Sequence, residues 1–152
     1  MTDPIQIRDF PEQPIAVIRD RAKQGELSRK IPDYCGKAWI FIQSRKDITS
    51  NGRMIATYRG QGADDMRIEV GAMVDGPFTS DGPVVSSSIP ACRAAMMTHV
   101  GPYSDLGKAF DMLFRWCKQN NHATGMCWEV YHHPEPSPAA APKTDIYVEI
   151  NN

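Results

Sequence analysis

The sequence predicts an α+β protein: an antiparallel sheet with two main helices, made of two pseudo-symmetric strand-helix-strand-strand modules around a central ligand cleft. Three observations carry this. Short extended runs rich in Val, Ile, Thr and Tyr surround just two apolar stripes of helical spacing. The quartet Gly36-Lys37-Ala38-Trp39 of the first stripe returns as Gly107-Lys108-Ala109-Phe110 in the second. A stretch of Gly, Pro, Ser and Asp over residues 76–84 marks the midpoint of the chain.

In chain order, Ile5–Arg8 and Ile15–Ile18 read as extended pieces around Pro11 and Pro14, which disfavour a continuous central strand. Arg21–Lys30 is polar and reads as a connection. A helix is expected from about Pro32, because proline is tolerated at a first helical position. Its stripe is Cys35, Ala38, Trp39 and Ile42, and it ends before the turn signal Asn51-Gly52. Arg53–Arg59 and Met66–Val74 are the next strands, joined by a polar hairpin loop over residues 60–65.

The second half repeats this plan. Ser86–Pro90 leads into an extended run, Cys92–Val100. Gly101-Pro102-Tyr103 turns into a helix with Ser104 as N-cap and a stripe of Leu106, Ala109, Phe110, Leu113 and Cys117. A strand around Trp128, a proline-rich loop and a last strand, Thr144–Ile150, complete it. Tyr58 and Tyr131 each close the strand after a helix, and Pro11 and Pro90 each precede a first strand. The expected organisation is a single domain over residues 1–152. Module one spans about 5–75, the linker about 76–84 and module two about 85–152.

Composition narrows the function. Apolar residues make up 41% and charged residues 23%, the balance of a soluble globular chain. The 17 basic and 18 acidic residues are scattered, so the basic footprint that binds nucleic acid is missing. Cys35, Cys92, Cys117 and Cys127 form no C-x-x-C pair and have no His at zinc spacing, so no metal and no cofactor is expected. With no leader-like start and no apolar run of membrane-spanning length, the expected location is the cytoplasm and no membrane contact is expected.

The chemistry concentrates in Gly125-Met126-Cys127-Trp128-Glu129-Val130-Tyr131, an acid between aromatics in an otherwise buried-looking strand. Strand alternation puts Glu129 and Tyr131 on one face and Trp128 and Val130 on the other. On spacing alone such an acid belongs on a solvated face. Facing a groove where the modules meet, with Tyr58 contributed by the first module, it would instead be an anion among rings.

The run His99-Val100-Gly101-Pro102-Tyr103-Ser104-Asp105-Leu106, the run Trp128-Glu129-Val130-Tyr131 and the run Thr144-Asp145-Ile146-Tyr147 resemble the GyrI-like small-molecule-binding domain, with Gly71-Ala72-Met73-Val74 closing the first module. That domain is also the effector-binding half of multidrug-responsive transcription activators. The resemblance covers nearly the whole chain. It implies a cleft for bulky, lipophilic, often cationic or aromatic compounds, with Glu129 meeting the positive charge. It also implies walls from Trp128, Tyr131 and Tyr147; Tyr58 and Trp39 are the weaker candidates. Asp145 and Glu149 stand where the family favours Glu and Pro, a departure at the rim.

The resemblance leaves three functions open. One is a stand-alone binder that sequesters drugs or toxins. Another is a hydrolase of cyclopropane-bearing electrophiles, with Glu129 as general base and Tyr131 or Tyr147 stabilising the oxyanion. The third is an interaction protein acting on a macromolecule such as DNA gyrase. The two modules consume the chain and leave no helix-turn-helix, so direct DNA binding is not expected. His99 reads as orienting the turn before the second helix, and His132-His133 as the start of the proline-rich loop, pointing to opposite faces. Cys117 and Cys127 read as core thiols, and Met96, Met97, Met112 and Met126 as packing. Trp39 and Phe110 are first of all helix-to-sheet core, with a reach to the cleft floor as the second reading of each. The loop 134–142 is a candidate lid.

Overall fold

In the structure, a computed structural model describing residues 4–60, 65–133 and 141–151, eight strands form one antiparallel sheet. The elements are β1 (Gln6–Phe10), β2 (Gln13–Ala22), α1 (Leu27–Gln43), β3 (Met54–Arg59) and β4 (Met66–Met73). Then come β5 (Val85–Ile89), β6 (Cys92–Val100), α2 (Leu106–Gln119), β7 (Thr124–Tyr131) and β8 (Lys143–Ile150). The sheet order is β1-β6-β8-β7-β3-β4-β2-β5. Exchanging the two halves reverses this order onto itself, so the pseudo-symmetry axis falls between β3 and β7.

Each module carries one strand more than the expected plan. The short outer strands β1 and β5 are exchanged: β1 pairs with β6 of the other half, and β5 with β2. One register runs through both ladders, from Gln6 opposite Met96 to Val17 opposite Val85, interrupted at Pro11-Glu12 and Pro90-Ala91. The prolines supply no N–H to a ladder there, so the ribbon bends while its register survives.

Helix α1 starts at Leu27, five residues before Pro32, which lies inside it. A short 3₁₀ turn, Gln24–Glu26, precedes the helix, and the Lys23 N–H donates to Glu26 Oε1 at 2.8 Å. Leu27, Ile31, Tyr34 and Cys35 extend the apolar stripe backward and pack on the core, which favours the early start. Pro32 is exposed, so water can satisfy the carbonyl it leaves unpaired. Ser104 does not cap α2. Tyr103–Asp105 forms a 3₁₀ turn and α2 begins at Leu106 with no side-chain cap bond.

Both helices cover the same sheet face. Ala38 and Ile42 of α1 pack with Ala16, Ile18, Ala72 and Val74. Leu106, Ala109, Leu113 and Cys117 of α2 pack with Ala95, Met97, Ile146 and Val148. The opposite face has its own core of Ile15, Val17, Ile55, Ile89, Ala94, Met126, Trp128 and Val130. No helix among the described residues is long and apolar enough to cross a membrane.

Candidate functional site

The seam between the halves is the β3–β7 ladder, from Ile55 opposite Val130 to Tyr58 opposite Cys127. Directly opposite residues share a face. Glu129 is opposite Ala56 and Ile146, so Tyr58, Cys127, Glu129 and Tyr131 all face the helices. Helix α1 sits mainly on β2 and β4, and α2 on β6 and β8, which leaves β3 and β7 as the floor between them.

Glu129 is 4% exposed and Tyr58 is 6% exposed. The Tyr58 hydroxyl donates to Glu129 Oε1 at 2.5 Å, and Tyr131 also hydrogen-bonds the Glu129 carboxyl. Among the described residues no Lys, Arg or His pairs with this carboxyl. Burial raises its pKa above the ordinary carboxylate value, and the two tyrosine hydrogen bonds offset part of that rise. Burial and the neighbouring carboxylate push the Tyr58 and Tyr131 hydroxyls well above their usual range. The Cys35 thiol of α1 is pushed up to about 12 by burial and then by the charge of Glu129, so it stands beside the acid as a neutral thiol.

Aromatic rings close the flanks. Phe110 of α2 meets Tyr58 edge-on with centroids 6.3 Å apart, and the exposed Tyr103 meets Tyr131 at 5.6 Å. Trp39 is partly buried, packed against the cluster that holds Ala38 and Ile42, and lies with His133 close to Gly52. Gly52 has φ +79° there, a conformation that glycine adopts without strain.

Of the residues expected at the site, the structure brings Glu129, Tyr131 and Tyr58 together. Trp128 and Tyr147 are not with them. They lie on the other sheet face, stacked with centroids 5.0 Å apart, and Phe10 abuts Tyr147 edge-on at 5.1 Å. The physical reason is the two-residue period of a strand: a neighbour of Glu129 in sequence cannot line the same wall. Cys35 and Tyr103 are the contributors that site reasoning missed, and Phe110, expected first as helix-to-sheet core, stands there as well. Cys35 and Phe110 did stand on the helical stripes, but a stripe does not say which of its residues overhang a seam.

The other polar residues hold the frame. Asp145 accepts from Thr98 Oγ1 at 2.6 Å and pairs with His132 Nε2 at 2.9 Å, while His133 Nε2 donates to the Asn51 carbonyl at 3.2 Å. Glu149 Oε1 accepts from the Met126 N–H at 3.3 Å. Asp145 and Glu149 thus lie on the face away from Glu129. Cys117 and Cys127 are buried free thiols. Met97 and Met126 are buried in the two faces of the sheet, whereas Met112 is exposed. An open depression of about 300 Å³ is lined by Arg59, Gly60, Arg67, Gly125, Met126 and Glu149 and does not include Tyr58, Glu129 or Tyr131. Most of the candidate lid, residues 134–140, lies outside the described residues, as do residues 61–64 of the expected hairpin loop.

The fold has counterparts among solved structures. The C-terminal domain of EcmrR matches with a TM-score of 0.79 at 20% identity, covering 97% of each chain. SAV2435, solved bound to tetraphenylphosphonium, matches at 0.71 and 10% identity over 98% of this chain and 94% of that one. A hydrolase from Listeria innocua matches at 0.61 and 11% identity, over 97% and 91%. At such identities these likenesses establish the fold. No curated protein matches the sequence significantly. The family model of the GyrI-like small molecule binding domain matches residues 3–151, and the chain therefore belongs to that family.

Proposed function

We propose that this GyrI-like domain binds bulky lipophilic cations in the groove over the β3–β7 seam, with Glu129 as the counter-charge. One observation carries the reading: a carboxyl that is 4% exposed, held by tyrosine hydroxyls, with no basic partner among the described residues. A buried carboxylate without a cation is costly, and a weakly hydrated cation relieves that cost with little desolvation of its own. Tyr58, Tyr131, Tyr103 and Phe110 add ring faces and edges, and each favourable cation–π contact contributes about 0.5–2 kcal/mol. The tetraphenylphosphonium complex of SAV2435, a protein of the same fold, makes that ion a suitable probe.

Titration with tetraphenylphosphonium, followed by tryptophan fluorescence and calorimetry, tests the reading. Saturable binding is expected, weakened about tenfold or more in Glu129→Gln, in keeping with a charge-assisted contact of about 1.5–3 kcal/mol. Equal affinity in both proteins would remove Glu129 from the site.

A second reading draws on the same residues. A carboxyl of raised pKa flanked by two hydroxyl donors suits general-base attack of water on a strained electrophile. Turnover of a cyclopropane-bearing electrophile, lost in Glu129→Gln, would distinguish a hydrolase from a binder. Stoichiometric binding without turnover supports the binder.

A further inference from the structure

His99 and Thr144 are opposite one another in the β6–β8 ladder, and Thr144 is opposite Tyr131 in the β7–β8 ladder. The three side chains therefore form a row on the helix-covered face that ends at the tyrosine bonded to Glu129. His99 is 8% exposed and Thr144 fully buried. His99 Nδ1 and Thr144 Oγ1 are both buried polar atoms without a hydrogen-bond partner. Thr57 Oγ1, another such atom among the described residues, is on the opposite face, across from Trp128.

The state of His99 follows from its other nitrogen. Nε2 is 3.2 Å from the Pro102 carbonyl, which can only accept, so Nε2 carries the proton. In the neutral ring Nδ1 is then a bare acceptor. Gly101, at φ +143°, lets the chain fold close around this ring: a Cβ there would be 3.5 Å from Nε2. Thr144, directly opposite His99 in the ladder, brings a hydroxyl to the same face. Across an antiparallel pair, Cβ atoms stand about 4.5–5.5 Å apart, so one small polar group can serve both. Such buried groups are rarely left unpaired.

We propose that His99 and Thr144 form a hydrogen-bonding subsite at the Tyr131 end of the groove, and that the ligand carries a hydroxyl or amide N–H as well as an apolar cationic body. The proposal rests on the groove reading above. The group that fits donates to Nδ1 and accepts from the Thr144 hydroxyl. A purely hydrocarbon extension at this point would leave two buried polar atoms unpaired, which gives the site its discrimination.

Two pairs of probes test this. One is (3-hydroxypropyl)triphenylphosphonium against butyltriphenylphosphonium; the other, uncharged, is 3-phenylpropanol against butylbenzene. Calorimetric titration is carried out on the wild type, Thr144→Val, Thr144→Ser and Glu129→Gln. The hydroxyl member of each pair is expected to bind about fivefold more tightly to the wild type, the size of one net hydrogen bond. That preference should vanish in Thr144→Val and return in Thr144→Ser. A preference unchanged in Thr144→Val overturns the subsite, even where the cations depend on Glu129. Should the cations fail to bind while 3-phenylpropanol keeps its Thr144-dependent advantage, the Glu129 reading falls and the subsite stands. Absence of binding by all four probes overturns both. Nitrogen NMR of His99 gives a separate check: the Nε2-protonated tautomer is expected, and an Nδ1-protonated ring contradicts the proposal.

Discussion

At the scale of one residue, Glu129 links stability to the proposed function. Its folded pKa lies above the ordinary value because burial disfavours the anion. Between the unfolded and folded pKa the native state holds more protons than the unfolded chain, so stability falls as pH rises through that window and levels off above it. Urea denaturation of the wild type and Glu129→Gln should therefore converge at acid pH. They should separate as pH rises, with the Gln variant the more stable at neutral pH. Parallel curves across the range would mean that the carboxyl is solvated. Under the function proposed above, the same titration also governs binding. Affinity for tetraphenylphosphonium should rise with pH as the anion forms, whereas affinity for a neutral ligand should not. Asp20 shows the opposite sign: hydrogen bonds from Tyr34 and Lys30 lower its pKa to about 2, so its contribution is lost as pH falls toward that value.

At the scale of elements, the close approach of β4 to β2 is the feature least tolerant of change. Gly71 is opposite Val17 in this ladder, and a Cβ there would be 1.9 Å from the Ala16 carbonyl oxygen and 2.9 Å from the Val17 Cα. These are backbone atoms, so no rotamer relieves the clash. Gly71→Ala should destabilise the protein by about 3 kcal/mol, the upper end of ordinary overpacking, and lower the urea midpoint with an unchanged slope. A shift below about 0.5 kcal/mol would show that the two strands can separate freely. On α1, Pro32 removes one helical hydrogen bond on the solvent side, while Ala38 and Ile42 anchor the buried side. The helix thus tolerates the break where water can repair it.

At the scale of the molecule, the exchanged strands β1 and β5 tie the halves into one unit. Each half lacks a strand that the other supplies, and the seam β3–β7 is itself a hydrogen-bonded ladder. Single-tryptophan variants retaining Trp39 in the first half or Trp128 in the second should unfold with the same midpoint, and that midpoint should match circular dichroism. Distinct midpoints would mean that the modules unfold separately. The Tyr58–Glu129 hydrogen bond belongs to this scale as well, because the two residues come from different halves and meet only when the seam closes.

The sequence determined the sheet-and-helix content, the two-fold plan and which residues share a face with Glu129. Each of these rests on local periodicity or repetition: a period of two put Tyr131 with Glu129 and Trp128 opposite, and the Gly-Lys-Ala-aromatic quartet marked equivalent helices. Tertiary structure decided the exchange of β1 and β5, because strand partners are chosen by packing across the whole sheet. It decided that Cys35, Phe110 and Tyr103 stand around Glu129, since helix overhang depends on where each helix lands. The pleat already put Trp128 on the face away from the acid; tertiary structure decided that Tyr147 joins it there, because β8 pairs with β7 in the register that sets Tyr147 opposite Trp128.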